Sequence, residues 1–377
     1  MRVSAGLVVV FQDKILLVQQ LYDNKKKHMS IPKGLAQEKE PFLDAAIRET
    51  YEETGLLVRH DEISPTPHVI NVNNEKYQRR IIYYIAILKC AVEPIIKPLD
   101  TSEITWAGFV EYRNAVNSIQ ISQLSILFHL KNNYVEPRML SYLLLNDYLT
   151  REKHPTQDIY IYNYTDKCKK EEYWNEVTLW ARGIILDANN NVIAKPLKKF
   201  FEYHQIYDGF IPNVEYEILE KKDGALGILY WINGMPFITT RNSFITPQAL
   251  KATMMLYTNY TDSLASLNTD YSYFFEIIYP ESRFVIDYKN ISDLFLIGAF
   301  DNKNSIDIPL DHLTNLPFPK VKKVGIKGDI CKLHENDIEN EEGYVVRFSN
   351  GFRIKVKFQT YMKNYMLKFQ NKNFINS

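Results

Sequence analysis

The sequence predicts a two-domain protein, α/β in its first third and α+β with antiparallel sheets over the rest. Three observations lead there. The 377 residues exceed what one hydrophobic core usually supports. An acidic stretch around residue 50 has helical spacing and is flanked by short apolar strands. Beyond residue 150 the chain is a succession of short β-rich runs without an internal repeat.

Taken in order, residues 5–11 and 14–19 predict two strands joined around Gln12-Asp13. From Pro41 to Thr54 the pattern is helical: Pro41 suits a first turn, Phe42, Leu43, Ala45 and Ala46 share a face, and Gly55 is a suitable stop. Strands are expected at 66–72 and 80–91, and a helix from about 118 to 133. A linker over 131–137 sets the expected boundary, giving domains 1–135 and 136–377. The second domain should start with a helix at 139–150. Strands are then expected at 158–164, 182–187, 225–232, 272–279, 294–300, 344–348 and 352–358.

Composition narrows the function classes. Apolar residues make up 46% and charged ones 24%, ordinary values for a soluble globular chain. The 45 basic residues balance 45 acidic ones, which argues against a large non-specific polyanion surface. Cys90, Cys168 and Cys331 are few and far apart, with no second cysteine or histidine at metal-ligand spacing, so a reducing compartment is expected. The first twenty residues do not read as a signal peptide and no long apolar run occurs, so a cytoplasmic protein without a membrane span is expected.

Residues 34–57 read GLAQEKEPFLDAAIRETYEETGLL. On a helix Glu49, Glu52 and Glu53 stand at i, i+3 and i+4, so three carboxylates share one face. They repel one another unless a cation sits among them, and hard oxygen-preferring ions, Mg²⁺ or Mn²⁺, fit. Arg48 can hold a neighbouring carboxylate bidentately. The spacing of Gly34, Glu40, Arg48, Glu49, Glu52, Glu53 and Gly55 resembles the box of the Nudix hydrolases, with Thr50 at a usually apolar position. The resemblance covers about residues 1–135 and implies an α/β/α sandwich that cleaves pyrophosphate linkages in nucleotides. It also implies Glu49, Glu52 and Glu53 as metal ligands, Glu40 and Arg48 as their supports, and a further acid, for which Glu103 is the candidate. His28 and the lysines before it, and the loops 20–30 and 71–79, are candidate substrate contacts.

The second domain carries Lys221-Lys222-Asp223-Gly224 after an apolar stretch. A lysine attacks phosphorus only when deprotonated, which asks for desolvation or neighbouring cations. Around it stand, in order, Arg182-Gly183, Lys199-Phe200-Phe201, Arg241, Phe275-Glu276, Glu342-Gly343-Tyr344-Val345-Val346-Arg347 and Lys355-Val356-Lys357. This ordered series, over about residues 138–370, resembles the covalent nucleotidyltransferases, and more narrowly the phage-type ATP-dependent RNA ligases. Leu226, and the presence of only residues 358–377 after the last motif, point away from DNA ligases and capping enzymes. The resemblance implies Lys221 as the nucleophile toward ATP, partly neutral near pH 7, with Asp223 and Gly224 shaping its turn. It implies Glu276 and Glu342 at the ribose or a metal, and Lys355 and Lys357 at the α-phosphate. Arg182, Lys199 and Arg241 would hold the triphosphate or an RNA 5′-phosphate. Basic clusters at 195–199 and 320–327 are possible phosphate contacts or solvated loops.

The joint expectation is a bifunctional RNA end-processing enzyme using ATP and Mg²⁺ or Mn²⁺. Its substrates would be nucleotides and RNA with 5′-phosphate and 3′-hydroxyl ends, in a cytoplasmic, phage- or virus-encoded setting. The Nudix part would trim a 5′-triphosphate or a dinucleotide cap. Alternatives are free dinucleotides or ADP-ribose, the adenylated RNA intermediate, or a pure RNA-binding role.

Overall fold

The computed structural model describes residues 3–21, 27–73, 78–99, 101–130, 134–206, 211–325 and 330–373. Two compact units result, Met1–Thr150 with Tyr164–Leu179, and Arg151–Asn163 with Trp180–Ser377.

The first unit is built on a seven-stranded mixed sheet. Its strands are β1 (Val3–Phe11), β2 (Lys14–Leu21), β3 (Lys27–Ser30), β4 (Lys33–Leu35), β5 (His68–Asn73), β6 (Gln78–Ile87) and β7 (Ile104–Glu111). The order is β3-β2-β1-β6-β5, with β4 also on β1 and β7 also on β2. The expected β1–β2 hairpin pairs only at its tip, Val10 with Ile15 and Phe11 with Lys14. Most of β1 instead runs parallel to β6, from Val3 opposite Arg80 to Val10 opposite Ile87. That placement explains the unbroken apolar run Leu7-Val8-Val9, which a central strand covered on both faces requires.

Helices cover both faces. On one, α1 (Phe42–Thr54) presses Ala45 and Ala46 onto Leu7, Val9, Ile82 and Tyr84. Gly55 ends the helix at φ 70°, its N–H donating to the Tyr51 carbonyl. On the other face Tyr83, one residue out of phase, meets α3 (Ile121–Leu127), whose Gln123 amide donates to the Tyr83 hydroxyl at 2.6 Å. Of the helix expected over 118–133 only α3 forms; Ile119, extended at φ −74°, ψ 161°, separates it from α2 (Tyr112–Ser118), a helix the sequence did not suggest. Helix α4 (Pro137–Leu145) is shorter than expected and gives way to a strand at Leu149. Two short helices, α5 (Asp166–Lys170) and α6 (Glu176–Trp180), complete the set.

The second unit holds three antiparallel-rich sheets. The first is β11 (Val192–Ala194), β10 (Arg182–Asp187), β9 (Ile159–Tyr164) and β8 (Leu149–Lys153), in that order. The second has the order β12 (Phe201–Glu202), β20 (Arg353–Lys357), β19 (Gly343–Phe348), β13 (Tyr216–Lys221). In the third, β14 (Ala225–Ile232) lies between β15 (Met235–Thr240) and β16 (Tyr271–Ile278), followed by β17 (Asp293–Asp301) and β18 (Ile306–Ile308). Helix α7 (Pro247–Asn259) buries Ala252, Met255 and Leu256 against Leu229, Phe275 and Leu296 of that sheet. Its signal is local: Thr246 caps it by accepting from the Ala249 N–H, and Pro247 fills the first turn. Helix α8 (Gln359–Asn373) ends the described chain. No helix among the described residues is long and apolar enough to cross a membrane.

Candidate active sites

In the first unit, β4 delivers Gly34 against α1. A methyl group built on Gly34 would overlap the Glu49 carboxylate, so the glycine makes room for that acid. Arg48 binds the loop to the helix. Its Nε and Nη2 donate to the two oxygens of Glu40 at 2.8 and 2.9 Å, and its Nη1 donates to Glu49 at 2.7 Å and Glu52 at 3.0 Å. Glu40 is held below the ordinary carboxylate range by this fork. Glu52 is the outermost of the three acids, its side chain 49% exposed.

Glu53 is the opposite case. It is 8% exposed and accepts from the Lys33 backbone N–H at 3.0 Å and the Gln20 amide at 2.9 Å. Burial pushes its carboxyl up to about 7, although the Lys33 ammonium opposes the shift. Glu49 is also raised by burial. Two acids whose charge is resisted by their surroundings, beside an exposed third, are an all-oxygen set suited to a hard divalent cation. Thr50 is fully buried and its hydroxyl has no hydrogen-bond partner among the described residues.

Glu103 stands exposed in the turn before β7, without an ion-pair partner among the described residues. The register sets Ile104 opposite Gln20, whose amide reaches Glu53, so Glu103 is one residue from that pair. Residues 22–26 and 74–77, and the side chain of His28, lie outside the described residues, and with them most of the expected substrate loops.

In the second unit, Lys221 ends β13 opposite Gly343 of β19. Its Nζ lies 2.8 Å from Glu342 Oε1, and Lys357 approaches the same oxygen at 3.7 Å. Burial lowers the Lys221 pKa, but the Glu342 and Glu276 carboxylates outweigh it and hold the ammonium above the ordinary lysine range. In the metal-free chain, then, the nearest neighbours of Lys221 are acids and favour its charged form. Burial does push Lys355 down to about 8, with Lys357 adding to the effect. Glu276 is raised to about 7 by burial and accepts from the Gly224 N–H at 3.0 Å.

Asp223 shapes the turn by a denser set of bonds than its motif suggested. It accepts from the backbone N–H groups of Val285 and Ile286 at 2.7 and 2.8 Å and from the Tyr361 hydroxyl at 2.8 Å. Its own N–H donates to the Tyr288 hydroxyl. A side chain on Gly224 would strike the Ile277 carbonyl and Glu276.

Arg182 opens β10, over the Phe200 ring and electrostatically coupled to Lys221 and Lys355. Gly183, at φ 102°, brings the backbone of Arg241 close by. Lys199 lies over Phe201, 4.3 Å from the ring centre. Sequence reasoning passed over Glu202, whose carboxylate is 3.9 Å from Lys355 and reaches it only because β12 pairs with β20.

The two basic clusters are partly structural. Lys195 is 3% exposed, stacks on Trp180 and Phe300 and donates to Ser305, which corrects the solvated-loop alternative at that residue. Lys323 pairs with Glu217 at 3.0 Å, while residues 326–327 lie outside the described chain.

Residues 1–125 match the NUDIX domain family, so the chain contains a Nudix domain. An RNA ligase of Rhodothermus phage RM378 is 25% identical over 183 residues, covering 38% of this chain and 41% of the phage protein. The chain thus matches less than half the length of that relative. The two matches together support a Nudix domain fused to an RNA-ligase-like part. Among solved structures, a bifunctional NMN adenylyltransferase/ADP ribose pyrophosphatase from Francisella tularensis, complexed with AMP and Mn ion, aligns at 18% identity. It covers 34% of this chain and 41% of its own with a TM-score of 0.29. A C. elegans Ap4A hydrolase aligns at 21% identity, over 39% of this chain and 99% of its own, with a TM-score of 0.27.

Proposed function

We propose that the chain is a bifunctional RNA end-processing and sealing enzyme, with residues 1–135 as a Nudix pyrophosphohydrolase and residues 136–377 as an ATP-dependent RNA ligase. The observation that carries the ligase assignment is Lys221 paired with Glu342 beside the half-buried Glu276, with Lys355 and Lys357 on β20 next to β19. Lys221 Nζ attacks the α-phosphorus of ATP, forming an N–P bond as the bond to the bridging oxygen breaks and pyrophosphate leaves. The nitrogen must shed its proton first, and Glu342 Oε1 is placed to take it. Lys355 and Lys357 neutralise the oxygens of the transferred phosphate, and Arg182, Lys199 and Arg241 hold the triphosphate or the RNA 5′-phosphate. AMP then passes to that 5′-phosphate, and a 3′-hydroxyl displaces it as the strands join.

The hydrolase half supplies the monophosphate end the ligase needs, by cleaving the pyrophosphate linkage of a 5′-triphosphate or a dinucleotide cap. Glu49, Glu52 and Glu53 would hold Mg²⁺ or Mn²⁺, which supplies Lewis acidity to the phosphate and acidity to the attacking water. Glu40 and Arg48 keep the acids in register, and Glu103 is the further acid. Incubation with α-labelled ATP and RNAs bearing different 5′ ends tests both halves. We expect label on the protein that Lys221→Ala abolishes, and 5′ trimming that Glu52→Gln abolishes. Unlabelled wild-type protein sinks the ligase assignment, and untouched triphosphate and NAD-capped RNA sink the trimming.

A further inference from the structure

His68, His129 and Glu176 meet inside the first unit from three separate stretches of chain. Their donor atoms all lie within 4.8 Å of one another. His68 Nδ1 is 3.2 Å from Glu176 Oε1, and His129 Nε2 is 2.6 Å from Glu176 Oε2, so each carboxylate oxygen faces an imidazole nitrogen. The two rings lie 3.9 Å apart, tilted by 46°. The side chains of His68 and Glu176 are 7% and 1% exposed, and that of His129 is 25% exposed.

The frame around them is built to hold these positions. His68 begins β5 and pairs with Tyr83 of β6. His129 follows α3, its N–H bonded to the Ile126 carbonyl. Glu176 is brought to β5 by a two-way backbone bridge between Trp174 and Asn71, 2.7 and 2.9 Å. The Asn71 amide also donates to the Glu172 carbonyl. Asn175 Oδ1 then accepts from the N–H groups of Val177 and Thr178, fixing the turn that presents Glu176.

A carboxylate this deeply buried gives up the solvation of its charge. A divalent ion there would take lone pairs from both imidazoles and from the carboxylate at once. We propose that His68, His129 and Glu176 form a transition-metal site of the zinc class, separate from the acidic helix α1. Two nitrogens and one carboxylate, without a thiolate, favour zinc-like ions over Mg²⁺ or Ca²⁺, which prefer oxygen throughout. Three protein ligands leave a fourth position for water. Ligand atoms about 2.0–2.2 Å from a tetrahedral ion stand roughly 3.4 Å apart, close to the 3.2 Å between His68 and Glu176 and wider than the 2.6 Å between His129 and Glu176. Bound there, the ion clamps residues 172–178 onto the edge of β5.

The test uses the full chain carrying Glu52→Gln and Glu53→Gln, which silences the acidic helix, stripped of metal and titrated with Co²⁺. We expect one equivalent to bind with the visible bands of tetrahedral cobalt, and His129→Ala to weaken uptake at least tenfold with the circular dichroism unchanged. Because His129 is the most exposed ligand, this variant is the least disruptive, and Glu176→Gln is the second. X-ray absorption of the zinc-loaded parent chain reads the site without any change to it and should show imidazole scattering. No uptake, uptake indifferent to either substitution, or a zinc spectrum without imidazole would each overturn the proposal and leave a hydrogen-bonded triad.

Discussion

Glu53 offers the sharpest test of the acidic helix, because its charge is resisted by the fold. Its carboxyl is raised from 4.5 to about 7, so between those values the folded chain keeps a proton that the unfolded chain releases. Stability of the metal-free protein should therefore fall as pH rises from about 4.5 to about 7 and level off above. At about 1.4 kcal/mol per pH unit the loss is up to about 3 kcal/mol. Glu53→Gln mimics the protonated acid and retains an oxygen for the Lys33 N–H. In urea titrations with chelator, read by hydrogen exchange on α1 peptides, the variant should be more stable than wild type by up to about 3 kcal/mol at pH 8, and the gap should close toward pH 4.5. Added Mn²⁺ should reverse the order at pH 8, since only wild type keeps the full ligand set. A wild type that is the more stable protein at pH 8 in chelator, or a gap independent of pH, would refute the burial argument.

Three further outcomes follow from single contacts. Thr50→Val removes a buried hydroxyl that has no hydrogen-bond partner among the described residues, and should raise stability by about 1 kcal/mol in the same titrations. Gly34→Ala forces the Glu49 carboxylate aside, and displacement on the order of 1 Å should cut hydrolysis about a hundredfold with the circular dichroism unchanged. Asp223→Asn removes the charge that three donors share and should cost about 2 kcal/mol, seen as a lower melting temperature together with slower labelling by α-labelled ATP. An unshifted melting curve would show that those bonds are not what holds the Lys221 turn.

The sequence by itself determined whatever depends on local spacing. Periods of 3.6 and 2 placed α1 and most strands, and the rigid offsets of a helix put Glu49, Glu52 and Glu53 on one face before any fold was known. The order of the lysine-bearing motifs likewise marked Lys221, Glu276 and Glu342 as companions. Local pattern failed where one residue's backbone or a distant partner decides. Ile119 delays the start of a helix expected from residue 118, and β1 pairs with β6 across some seventy intervening residues rather than chiefly with its neighbour. Charge state was beyond it altogether. Only the pairing of β13 with β19 sets Lys221 against Glu342, and only burial separates Glu53 from the exposed Glu52 one residue away. The meeting of His68, His129 and Glu176 is the extreme case. Ligands spread over more than a hundred residues share no spacing, and a two-way backbone bridge between Asn71 and Trp174 is what brings them together.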